Sequence, residues 1–151
     1  MILHLLRHGQ SVWNVEERVQ GQTHHVPLTA DGVRQAREAR ERLAGVPLAA
    51  VLSSDQVRAR QTADVVADAH GLPVRETTLL REQGLGSLEG KHYSELEEEA
   101  TPEGAHVSEV RWGGGESMAD VAARLRVLVD ELRAEFADDD QVLLVSHGDT
   151  L

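Results

Sequence analysis

Two short aliphatic runs in this chain end the same way. Ile2 to Leu6 runs into Arg7-His8-Gly9, and far along the chain Val142 to Val145 runs into Ser146-His147-Gly148. Each run is short and apolar enough to be a buried strand. Open α/β sheets bind their ligands at the carboxyl edge of the strands, so both imidazoles are expected at one such edge. A third strand end adds a cation. Ser53-Ser54-Asp55-Gln56-Val57-Arg58 leaves an apolar segment for a helix, with Arg58 in its first turn, where the macrodipole also favours an anion. Arg7, Arg58, His8 and His147 together suit a phosphoryl group better than a carboxylate, because three charged oxygens must be matched. Arg60 points to another face of that helix and is expected to pair at the surface. His4, inside the first strand, reads as a packed, hydrogen-bonded residue.

Other chemistries find little support. The chain has no cysteine, which excludes disulfides, thiolate metal sites and thiol nucleophiles. No Gly-x-Ser-x-Gly elbow and no Walker loop occurs. Gly84-Leu85-Gly86-Ser87-Leu88-Glu89-Gly90 resembles a dinucleotide fingerprint only loosely, since its third glycine comes one place late. His24-His25 and His92 with Glu95 lack a recognised ligand spacing, so no metal and no cofactor is expected. With 15 basic and 26 acidic residues the net charge is −11, which argues against nucleic acid or an anionic membrane as partner. An anion site must therefore concentrate its positive charge in one pocket.

The elements that would position these groups alternate. A polar stretch from residue 9 to 28 reads as an irregular loop beside His8. Thr29 caps a helix from Asp31 to Leu43, and Ala49 to Ser53 is a second strand. Ser54 and Asp55 are candidate caps for a helix reaching His70, which Gly71 ends. Val74 to Glu76 is a short third strand, and Tyr93 to Ala100 a short acidic helix. Ser117 and Asp120 form a variant capping box for an amphipathic helix striped by Val121, Leu125, Leu128, Leu132 and Phe136. The pattern predicts an α/β three-layer sandwich with a mainly parallel central sheet, in one domain over residues 1–151.

These segments resemble the histidine phosphatase superfamily, the phosphoglycerate mutase-like fold. The likeness is carried by Leu6-Arg7-His8-Gly9-Gln10-Ser11 with Asn14, by Gly21-Gln22 and Pro27-Leu28-Thr29, and by Ser53-Ser54 through Arg58-Ala59 to Gln61-Thr62-Ala63. Leu80-Arg81-Glu82 with Gly86, Leu88-Glu89-Gly90, and Val145-Ser146-His147-Gly148 complete it. The resemblance implies that His8 attacks phosphorus and that Glu82, otherwise one glutamate among many, protonates the leaving oxygen and then activates water. It implies that Arg7, Arg58 and His147 hold the phosphoryl oxygens, with Asn14, Gln20, Gly21 and Gly148 in the binding pocket. Mutases of the family follow the glutamate with Arg-His-Tyr. Gln83-Gly84-Leu85 stand here, and a long mutase insertion before Trp112 is absent, which favours a phosphatase.

The expectation is a cytoplasmic phosphomonoesterase for a small phosphate ester, without cofactor or metal. A bisphosphoglycerate-dependent mutase and a weak phosphate-binding module are the alternatives. By that resemblance the chain is also expected to lack a carboxyl-terminal helix and strand. The apolar strand Gln141 to Ser146 would then have one bare face, His147 would be mobile, and self-association, as in a homodimer, would follow.

Overall fold

The computed structural model describes residues 1–97, 101, 103–104 and 106–151. Four strands, β1 (Ile2–Arg7), β2 (Leu48–Ser54), β3 (Val74–Thr77) and β4 (Gln141–Ser146), form one sheet in the order β1-β4-β2-β3. Every neighbouring pair is parallel. All four carboxyl ends therefore open on the same edge, as the two His-Gly endings require.

Helices cover both faces. On one side lies α3 (Val57–His70), whose Ala59, Ala63, Val66 and Ala67 recur at helical spacing and are buried against Val51, Leu143 and Val145. Small side chains there let the helix sit close to the sheet. Ala39 and Leu43 of α2 (Ala30–Leu43) extend the same cluster. On the other side α4 (Met118–Glu135) sets Leu128 and Leu132 on Ala50, Leu52, Val142 and Leu144, with Leu125 and Phe136 partly buried beside them. The result is the expected three-layer α/β sandwich.

The caps follow the sequence closely. The Thr29 hydroxyl accepts from Gly32 N, Ser117 and Asp120 form a reciprocal capping box, and Gly71 ends α3 in the left-handed region at φ 64°. The cap of α3 differs: Gln56 holds that position without a side-chain cap bond, and Ser54 and Asp55 make other contacts. The stretch after His8 is also more regular than expected. It holds a one-turn helix, α1 (Val12–Val15), closed by a capping box between Ser11 and Asn14.

Two expectations need correction. Among the described residues, Tyr93–Glu95 is a single 3₁₀ turn rather than the start of a helix, and residues 98–100 lie outside the description. The capping box of His92 and Glu95 closes that turn. Nor does β4 present a bare face. It is the second strand of the sheet, and Val142 to Ser146 are buried, covered by α4 on one side and α3 on the other. Within the sheet, the exposed large apolar side chains are those of β1 at its edge, where Ile2 and Leu5 are 50% and 57% accessible. His147 itself is fully buried, which opposes the mobility expected for it.

One backbone crossing seats the loop that carries His8. A Cβ on Gly9 would lie 2.3 Å from the Gly32 carbonyl oxygen, and one on Gly32 would lie 2.1 Å from that of Gln10. Alanine at Gly32 gains helix propensity of up to about 1 kcal/mol. The overlap with rigid backbone outweighs that gain. Gly32→Ala is expected to lower stability by about 1–3 kcal/mol in urea unfolding, whereas Gly45→Ala, with open space around it, should stay near neutral.

Candidate active site

The register of β1 on β4 pairs Leu6 with Val145 and Arg7 with Ser146, and His8 N donates to the Ser146 carbonyl at 3.0 Å. The residues just past the two strands are thereby brought side by side. The imidazoles of His8 and His147 lie 5.1 Å apart, ring centre to ring centre, inclined at 62°.

His8 is held in one tautomer. Its Nδ1 lies 2.6 Å from the Gly9 carbonyl oxygen, which can only accept, so Nδ1 carries the proton. The lone pair is left on Nε2. Behind the ring, Gly9 N donates to Thr62 Oγ1, and that hydroxyl donates to the Arg58 carbonyl one helical turn earlier. His147 Nε2 meets Ser54 Oγ at 2.9 Å, leaving Nδ1 buried without a partner. Three neighbouring parallel strands, β1, β4 and β2, thus supply His8, His147 and Ser54 from the same edge.

Arg58 is completely buried. It is not the free fork that the sequence suggests. Its Nη1 donates to the Thr23 carbonyl and its Nη2 to that of Gly21, at 2.9 and 3.0 Å, while Nε has no partner. Gly21, expected to line the pocket, uses its carbonyl to hold both Arg58 and Gln56. Its φ of 45° strains any other residue there, and an added Cβ would crowd the Glu89 carboxyl. Arg7 is exposed and lines a cavity of about 290 Å³ together with His8, Gln10, Asn14 and Gln35. Gly148 lies under its guanidinium, where a Cβ would come within 3.2 Å of Cζ. Asn14 and Gln20 are both tied to Ser11, whose Oγ is 3.0 Å from Asn14 Oδ1 and 2.6 Å from Gln20 Oε1. Arg60, as expected, pairs with Asp64 and Glu76 at the surface, and His4 bonds Gln141.

Glu82 is buried at the same edge. Its Oε1 accepts from Gln83 N and stands 3.0 Å from Thr150 Oγ1. Two side chains that the sequence reading passed over position it, Gln56 fully buried and Arg124 partly so. Gln56 accepts from Glu82 N through Oε1 and donates through Nε2 to the Gly21 and Thr23 carbonyls, so one amide ties the loop of Gly21 to that of Glu82. Arg124 donates to the Leu79 and Glu82 carbonyls and pairs with Glu116. The signal for Gln56 was its place between strand end and helix, two residues before Arg58. Thr62, one turn beyond Arg58, carried a similar signal.

Burial acts on acid and bases in opposite directions. It lowers His8 to about 4, with Arg58 and Arg7 adding repulsion, and pushes His147 well below the usual histidine range. Burial raises Glu82 above the ordinary carboxyl value, helped by Asp149. Arg58 falls only to about 10 and stays charged at neutral pH. The site therefore holds two neutral imidazoles, two guanidinium cations and a carboxyl group inclined to keep its proton. Among the described residues no three His, Asp or Glu side chains converge to hold a metal ion, and no helix is long and apolar enough to cross a membrane.

Fold and site together define the phosphoglycerate mutase-like α/β architecture. The chain belongs to the histidine phosphatase superfamily, branch 1, whose profile matches residues 3–151. It is 36% identical over 156 aligned positions to a Klebsiella pneumoniae protein named probable phosphoglycerate mutase GpmB, covering 97% of this chain and 69% of that one. Among solved structures it is similar to a mycobacterial glucosyl-3-phosphoglycerate phosphatase in complex with VO3. The TM-score is 0.85 at 39% identity, over 97% of this chain and 74% of that one. Bacillus stearothermophilus YhfR matches with a TM-score of 0.81 at 31% identity, over 98% of this chain and 74% of the other.

The lowered histidines make stability depend on pH. Between 6.5 and about 4 the unfolded chain binds a proton at His8 that the folded chain does not, so stability falls as pH falls, by about 1.4 kcal/mol per pH unit. His147 acts in the same sense. Glu82 acts in the opposite sense, but two imidazoles outweigh one carboxyl. Urea midpoints in phosphate-free buffer should drop from pH 7 to pH 5, and His8→Asn should flatten that drop. An unchanged slope in the variant would contradict the burial of a neutral His8.

Proposed function

We propose that this protein is a phosphomonoesterase that hydrolyses a small phosphorylated metabolite through a phosphohistidine on His8. The single observation that carries the reading is the Nδ1 contact of His8 with the Gly9 carbonyl, which leaves Nε2 unprotonated at neutral pH. In the first step Nε2 bonds to phosphorus and the ester P–O bond breaks. The ring becomes cationic, and the Gly9 carbonyl on Nδ1–H stabilises that charge. Glu82 gives its proton to the departing alkoxide. In the second step water attacks phosphorus, Glu82 takes the water's proton, and His8 leaves as neutral imidazole. In this reading Arg58 Nε and His147 Nδ1, both buried without partners, donate to phosphoryl oxygens, with Arg7 at the mouth. Positioned cations suit a transition state that asks for little covalent help from the protein.

The name of the Klebsiella relative raises the mutase reading. A mutase must grip a second anionic group of its substrate while the phosphoenzyme waits. The segment after Glu82 offers no cation for that: Gln83 is buried and donates to the Glu116 carbonyl, and Gly84 packs near Gln22 and Glu116. Hydrolysis is favoured.

Brief incubation with a labelled phosphomonoester should leave acid-labile, base-stable label on the protein, and none on His8→Ala. Label or turnover persisting in that variant would overturn the assignment. A chelator should leave the rate unchanged. With 3-phosphoglycerate, ³¹P spectra should show inorganic phosphate and no 2-phosphoglycerate; the isomer as main product would restore the mutase. Glu82→Gln should lose on the order of 10²–10⁴ in turnover for alkyl phosphates. It should lose far less in the phosphorylation of p-nitrophenyl phosphate, whose leaving group needs no proton.

A further inference from the structure

The carboxyl of Glu82 has a neighbour with too few protons for its contacts. Thr150 Oγ1 is buried between two acceptors, the Arg81 carbonyl at 2.9 Å and Glu82 Oε1 at 3.0 Å. A hydroxyl owns one hydrogen and can donate to only one of them at a time. Oε1 already accepts from Gln83 N at 3.0 Å, whereas Oε2 has only a 3.5 Å contact from Asp149 N. The two oxygens of one carboxyl are therefore unlike: Oε1 is anchored and Oε2 is free to carry a proton.

We propose that Thr150 is a positioning residue for the proton transfers of Glu82, selecting Oε2 as the protonated oxygen and turning its own O–H from the Arg81 carbonyl to Oε1 as the carboxylate forms. This rests on Glu82 being the proton donor. While Glu82 is neutral, its proton sits on Oε2 and the Thr150 hydrogen rests on the Arg81 carbonyl. As the proton leaves for the alkoxide, Oε1 gains negative charge and becomes the stronger acceptor, so the hydroxyl swings across. When the carboxylate later takes a proton from water, the hydroxyl swings back. No proton is gained or lost by Thr150. Because the new bond strengthens as charge develops, it favours the transition state over the resting acid.

The charged groups facing the carboxyl are few. Asp149 approaches from the segment after β4 and opposes ionisation, and Arg58 faces it from α3. Arg124 of α4 reaches only the backbone oxygen of Glu82. Against that background, removing a hydroxyl donor must make Glu82 a weaker acid.

Threonine, serine and valine separate this role from simple packing. Thr150→Ser keeps the hydroxyl and loses a methyl group, whereas Thr150→Val keeps the shape and loses the donor. The expected result is a serine variant close to the parent in rate and pH profile. In the valine variant the alkaline limb of kcat should move up by about one pH unit, with about tenfold loss on an alkyl phosphate and little on p-nitrophenyl phosphate. Should valine fail to fold by circular dichroism, Thr150→Ala takes its place with the same expectation. A valine variant like the parent beside an impaired serine variant would show packing alone and overturn the proposal. Equal losses on both substrates would overturn it too. Glu82→Gln run alongside separates the two failures. If it shows no dependence on leaving group, the acid role of Glu82 falls and this proposal with it; if it does and valine does not, only Thr150's role falls.

Discussion

Everything at the site depends on the parallel register of β1 against β4. A strand alternates its side chains with a period of two, so a slip of one residue would turn His8 to the opposite face of the sheet. The register observed, Arg7 opposite Ser146, carries both chain ends out of the sheet at the same level and lets His8 N bond the Ser146 carbonyl. From that pairing follow the facing imidazoles, the reach of His147 to Ser54 on the next strand, and the loop that lays Gly9 across Gly32. β4 lies between β1 and β2, buried on both faces, so the register is held by the most apolar part of the core.

A second consequence is electrostatic. The chain carries a net charge of −11, yet its proposed ligand is an anion. Burial resolves the conflict locally. Water is excluded from His8, His147 and Glu82 alike, and each shifts toward its neutral form, the imidazoles lowered and the carboxyl raised. The Arg58 guanidinium remains charged under the same burial, because its ordinary value lies so far above neutrality. One environment thus shifts acid and bases in opposite directions beside a retained cation, as the proposed roles of His8 and Glu82 require.

Much of this was legible in the residues. His-Gly after an aliphatic run marked both strand ends, helical spacing separated the inward Arg58 from the outward Arg60, and Thr29, Gly71 and the Ser117–Asp120 pair marked helix ends. What was not legible is non-local. Gln56 bridges the Gly21, Thr23 and Glu82 backbones, and nothing in its neighbourhood along the chain announces those partners. The covered state of β4 depends on strand order: α4, which precedes the strand, folds back over one face, and α3, far earlier, covers the other. The capping box of Ser11 and Asn14 escaped because asparagine stands where glutamate or glutamine is the usual signal. The acidic run after Tyr93 suggested a helix, but a capping box of His92 and Glu95 closes a single turn over Tyr93–Glu95.

The central claim is that His8 stands ready as a neutral imidazole with its proton on Nδ1. Nitrogen-15 NMR of the imidazoles, followed from pH 8 down to the limit of folding, tests it without any assumption about substrate. The account predicts a His8 signal of the Nδ1–H tautomer that stays neutral through pH 6 and titrates near 4. A signal of the Nε2–H tautomer, or a ring that takes up its proton near 6.5, would contradict it.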